Sequence, residues 1–156
     1  MNYKRMAASV FCFATIFESH ALAAQSPRHA SGSMEVVVTP AAPAEKSGRT
    51  ATGRMILDKQ YTGDLVGTGK GEMLTAMTDT KGSAAYVAME RVSGRLDGRS
   101  GSFVIAHRGS MRGNTSELTV QIVPDSGTGE LTGIAGTMTF ERTERGHVYQ
   151  CDYVLP

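Results

Sequence analysis

The stretch Tyr86-Val87-Ala88-Met89-Glu90-Arg91-Val92-Ser93-Gly94-Arg95-Leu96-Asp97-Gly98-Arg99-Ser100-Gly101-Ser102-Phe103-Val104-Ile105-Ala106-His107 holds two runs rich in β-branched and aromatic residues, hinged on Asp97-Gly98. An Asp-Gly pair tolerates the backbone angles of a tight hairpin, so the two runs read as neighbouring antiparallel strands. Outward from this pair, further turn signals stand at Gly63-Asp64, Asp79-Thr80-Lys81-Gly82, Arg112-Gly113-Asn114, Pro124-Asp125-Ser126-Gly127 and Glu144-Arg145-Gly146. Their near-even spacing suits long strands joined by short connections, and no stretch repeats its apolar residues at helical spacing for three turns. With the β-branched run from Met34 to Thr39, the strands number eight. Eight long antiparallel neighbours with no helix to cover a sheet face most readily close on themselves, which removes both edges. The expected fold is therefore all-β, an eight-stranded antiparallel up-and-down barrel, with a β-sandwich as the alternative.

The start of the chain has a different character. Lys4 and Arg5 precede an apolar run from Met6 to Phe17, and Ala21-Leu22-Ala23 supplies small residues where a signal peptidase cuts. Residues 1–23 thus read as a signal peptide, 24–33 as a flexible polar lead-in and 34–156 as one barrel domain. The apolar run is about a dozen residues, short of the roughly 20 that span a bilayer, so export to the periplasm or medium without stable membrane insertion is expected. Taking Lys4, Arg5 and Glu18 from the 16 basic and 15 acidic residues leaves 14 of each, a balance that does not steer the protein toward nucleic acid. Cys12 would leave with the leader and Cys151 stay alone, so packing has to hold the fold without an intrachain disulfide.

Two motifs carry a resemblance: Gly94 to His107 above, and Val123-Pro124-Asp125-Ser126-Gly127-Thr128-Gly129-Glu130-Leu131-Thr132-Gly133-Ile134-Ala135-Gly136. Together they closely resemble the bacterial family designated domain of unknown function 3224, whose members look like the allene oxide cyclase barrel. The resemblance runs from about Arg49 to the C-terminus and takes in Tyr86 to Glu90 and His147 to Tyr153. It implies an eight-stranded antiparallel barrel with an interior of small-molecule size, in a family without an established activity. The first strand departs from the family pattern, which carries an aromatic residue there, often Trp; this chain has no Trp.

Strand alternation sorts the candidate interior residues. Phe103 and Ile105 share a face with His107, which places His107 inward. On the last strand the aromatic side, with His147, Tyr149, Cys151 and Tyr153, is the better interior face. Tyr86, Ala88, Glu90 and Val92 oppose Ala85, Val87, Met89 and Arg91 with little contrast, and Glu72, Leu74 and Ala76 oppose Met73, Thr75 and Met77 with no more. The candidate ligand-binding set is Tyr86, Glu90, Phe103, His107, Tyr149 and Tyr153. An inward His beside an inward carboxylate suits general acid and base work. The competing reading pairs Glu90 with Arg91 or Arg99 and satisfies His107 with a Tyr hydroxyl. His107 and His147 with Glu72 or Glu90 offer three metal ligands, but without close spacing in sequence, so no metal and no cofactor are expected. Gly67, Gly69 and Gly71 bare one strand face, for curvature or for the close approach of another group. Three functions stay open: a barrel that holds a small apolar molecule, the leading expectation; an isomerase or cyclase for a flexible substrate; and a solid barrel used in assembly, with an oligomer compatible with each.

Overall fold

The computed structural model describes residues 26–156, so the expected signal peptide lies outside the described residues. The strands are β1 (Arg28–Pro40), β2 (Glu45–Ser47), β3 (Thr50–Gly63), β4 (Leu65–Thr78), β5 (Ala84–Leu96), β6 (Arg99–Arg112), β7 (Thr115–Ile122), β8 (Thr128–Gly129), β9 (Ala135–Thr143) and β10 (Gly146–Val154). Eight of them are long and follow one another around a closed antiparallel barrel, because β1 pairs with both β3 and β10. The other two are short additions: β2 pairs with the start of β3, and β8 pairs with β6.

Turn chemistry sets the register. Leu96 pairs with Arg99 across a two-residue loop in which Asp97 (φ 47°) and Gly98 (φ 81°) both take positive φ. Such a turn matches the right-handed twist of the flanking strands. Arg112 pairs with Thr115, and Thr143 with Gly146, across equally short loops.

The expected lead-in at 24–33 is corrected from Arg28 onward. Arg28 to Ser33 form the first half of β1, registered on β10 from Arg28 opposite Tyr153 to Met34 opposite His147. The segment looks polar because Ser31 and Ser33 face solvent, while Ala30 is fully buried. Its backbone N–H and C=O groups satisfy the edge of β10 that would otherwise stay open, a demand that side-chain polarity does not reveal.

The barrel is packed at one end and open at the other. Around the β3–β4 and β5–β6 hairpins, Tyr61, Leu65, Leu96, Phe103, Leu131 and Ile134 fill the interior completely. Burying large side chains of this kind contributes roughly 1.5 to 3 kcal/mol each, so this half supplies the apolar core. Tyr149 secures it: its hydroxyl accepts the Leu65 N–H at 2.8 Å and lies 3.1 Å and 3.2 Å from the carbonyls of Ser31 and Thr62.

Candidate functional site

The open half begins where the inner face of β4 loses its side chains. Gly67, Gly69 and Gly71 all point inward, and two reasons for glycine separate here. A Cβ on Gly67 or Gly71 would strike the backbone of β5, whereas one on Gly69 would overlap Glu90 Oε1 and come within 2.9 Å of the Tyr61 ring. Gly69 pairs with Lys59 of β3, and Gly71 with Glu90 of β5. Side chains from β3 and β5 therefore meet across the bare strand between them.

What meets there is a buried polar cluster. Lys59 and His107 are each 6% exposed and Glu90 is fully enclosed. Lys59 Nζ donates to Glu90 Oε2 at 2.7 Å, and the Tyr61 hydroxyl donates to Oε1 at 2.7 Å. The ammonium also lies 3.4 Å from the Tyr61 hydroxyl oxygen and 4.1 Å from the Phe140 ring centre, a cation–π contact. His107 Nε2 comes within 3.1 Å of Glu90 Oε2. That approach is close but misdirected, and Nε2 has no aligned hydrogen-bond partner.

Burial pushes the Glu90 carboxyl up, but the proximity of His107, the Lys59 charge and the Tyr61 hydroxyl outweigh it and hold the group below the usual carboxylate range. Burial lowers the Lys59 ammonium from its ordinary value, and the Glu90 charge restores only part of the loss. Burial and the same carboxylate drive the Tyr61 phenol far upward, so it serves as a fixed hydrogen-bond donor.

Above this cluster lies a cavity of about 470 Å³, open at the end formed by the β4–β5, β6–β7 and β9–β10 hairpins. Lys59, His107 and Phe140 form its floor. Its walls are apolar, with Met34, Leu57, Met73, Met111 and Leu118 prominent, and Tyr86, Arg142 and His147 also line it. The Tyr86 ring lies over Gly109, where any Cβ would collide with it, and burial raises its phenol.

The structure divides the six sequence candidates. Tyr86 and His107 line the cavity and Glu90 stands directly beneath the floor. Phe103, Tyr149 and Tyr153 face inward as expected but belong to the packed half: Phe103 is wholly buried, Tyr149 ties strands together, and the Tyr153 hydroxyl donates to Asp97 at the hairpin tip. Alternation assigns a face; it does not say how far along the barrel axis a residue sits. The partners expected for the buried pair are likewise corrected. Glu90 is matched by Lys59, since Arg91 lies one residue away on the outward face, and His107 packs on Glu90 and Phe140 with ring centres 5.5 Å apart in the latter contact. Glu72 faces outward and takes a bidentate bond from Arg54, so it cannot join His107 and His147. Among the described residues no group of three or more His, Cys, Asp or Glu side chains is placed to hold a metal ion.

Lys59, Tyr61 and Phe140 were not among the candidates. A signal for the first two exists in Met55-Ile56-Leu57-Asp58-Lys59-Gln60-Tyr61, where Lys59 shares a face with Met55, Leu57 and Tyr61 while Asp58 and Gln60 take the other. A lysine on the apolar face of a strand marks a buried charge that needs a carboxylate.

Fold and site together define an eight-stranded antiparallel barrel, solid in one half and hollow in the other, with an ion pair closing the floor of the hollow. The model of the protein-of-unknown-function family DUF3224 matches residues 30–153, and the chain belongs to that family. It is similar in structure to a DUF3224-family protein of unknown function from Shewanella oneidensis MR-1, with a TM-score of 0.79 and 43% sequence identity over 84% of this chain and 98% of that one. A comparison with curated proteins finds no match.

Proposed function

We propose that this protein is an exported barrel that binds a small, largely apolar molecule in its open half. One observation carries the reading: an apolar-walled cavity of about 470 Å³ ends on a few convergent polar groups, Lys59 and His107, rather than on more hydrocarbon. Ligand sites combine those two features, whereas a barrel built only for assembly has no use for a hollow half with an ion pair beneath it. At liquid-like packing of roughly 30 Å³ per non-hydrogen atom the space takes a molecule of roughly 15 such atoms. The cavity's methionines suit a pliable ligand, because their side chains adapt to its shape. Export rests on the charged start, the apolar run and Ala21-Leu22-Ala23.

Two titratable side chains at the cavity also support a second reading, an isomerase or cyclase that folds a flexible substrate against His107 and Lys59. Native mass spectrometry of the protein purified from the exporting cell, before and after organic extraction, tests both. The expected result is an added mass, removed by extraction, that rebinds unchanged; a rebound molecule released as an isomer supports the enzyme instead. A protein that carries no such mass and also fails to bind an apolar fluorescent probe would exclude the two readings together.

A further inference from the structure

The bonding capacity left over on the cavity floor identifies the head group of the ligand. Lys59 is occupied: its ammonium is shared among Glu90, the Tyr61 hydroxyl and the Phe140 face. Glu90 has both oxygens engaged and no exposed surface. That leaves His107, more than nine-tenths buried: Nε2 is sealed against Glu90 Oε2 at 3.1 Å, so the nitrogen the ring can offer to the cavity is Nδ1, which takes no hydrogen bond among the described residues. A buried imidazole in that condition is costly and is relieved by a partner.

Charge narrows the choice of partner. The opposite charges of Lys59 and Glu90 cancel, so the floor offers no free cation to an ionised head, and a carboxylate there would be buried without a counter-charge. A plain hydrocarbon leaves His107 as it was. A hydroxyl is uncharged and both donates and accepts, so it satisfies a neutral imidazole in either tautomer. Acids find their cations at the rim instead, at Arg142 beside its strand partner His147.

We infer that the ligand is a slender apolar alcohol that enters hydroxyl first and hydrogen-bonds to His107, with its chain along the cavity methionines. This rests on the binding reading above. The test titrates the protein, labelled in its methionine methyl groups and histidine rings, with decane, 1-decanol and decanoate, and follows each by NMR. The expected result is that 1-decanol moves the methyl signals of Met34, Met73 and Met111 together with the His107 ring nitrogens. His107→Phe should weaken 1-decanol roughly tenfold while changing decane by less than about threefold, since only the alcohol loses a buried partner.

If no probe moves the methyl signals, the binding reading itself fails. If the methyl signals move but His107→Phe weakens decane and 1-decanol alike, the head-group assignment is wrong and binding stands. Loss of 1-decanol affinity in Arg142→Leu rather than in His107→Phe would turn the ligand around and overturn the inference equally. Should His107→Phe fail to fold, the unsubstituted protein decides: ring nitrogens that ignore 1-decanol while the methyl groups respond rule the hydroxyl contact out.

Discussion

Glu90→Gln isolates the ion pair beneath the cavity, because the amide keeps the shape of the carboxylate and still accepts from the Tyr61 hydroxyl. What it removes is the charge opposite Lys59, whose ammonium lies 2.7 Å away and is 6% exposed. Breaking one side of a buried pair costs about 3 to 5 kcal/mol. The structure also implies a ceiling, since Lys59 can shed its proton instead of staying charged. From an ordinary lysine value of about 10.4, neutralisation at pH 7 costs about 5 kcal/mol at 1.36 kcal/mol per unit, so the loss cannot greatly exceed that. The two routes differ in pH dependence. Burial already lowers Lys59, and without Glu90 nothing restores it. Between its lowered folded value and its unfolded value, the unfolded chain binds the extra proton, so stability rises with pH on this account by at most about 1.4 kcal/mol per unit. The variant enters this window at a lower pH than the parent, and its deficit should narrow from pH 7 to pH 9. Urea denaturation followed by circular dichroism at several pH values measures both quantities. A variant within about 1 kcal/mol of the parent at pH 7, with a parallel pH profile, would refute the view that Lys59 depends on Glu90 for its burial.

Three further outcomes are expected. Gly69→Ala places a Cβ on Glu90 Oε1 and the Tyr61 ring, and because that carboxylate is held on several sides it cannot swing away cheaply; a loss of roughly 2 to 4 kcal/mol in the same denaturation assay is expected, and an unchanged midpoint would show that the carboxylate is loosely held. Burial pushes the Cys151 thiol up to about 12, and the residue is 1% exposed, so a thiol reagent at pH 8 should react only after denaturation; reaction in the native state would contradict its place in the core. Bulky replacements at Ala21 and Ala23 should leave uncleaved precursor in cells, and a parent protein that itself retains Met1 would overturn the export proposal.

The sequence by itself pointed to the eight long strands and to the tight turns at Gly63-Asp64, Asp97-Gly98, Gly113-Asn114 and Glu144-Arg145, because turn chemistry is local and a period of two is imposed by the backbone. Closure rather than a sandwich, and the long connection over 123–134 whose β8 pairs back with β6, were decided only by the tertiary structure. The sequence also determined that His107 faces inward, since Phe103 and Ile105 on the same face have no alternative to burial. It left Glu90 and Glu72 alike, each on a strand whose two faces differ little in polarity, and only the closed barrel turned one in and the other out. Height along the axis was invisible as well: Tyr149 and His107 both point inward, yet one lies in the packed half and the other at the cavity floor. The pairing of Lys59 with Glu90, 31 residues apart, had no local trace because it crosses an intervening strand. That contact exists where register sets Gly69 and Gly71 opposite Lys59 and Glu90, and register across a barrel is settled by all eight long strands at once.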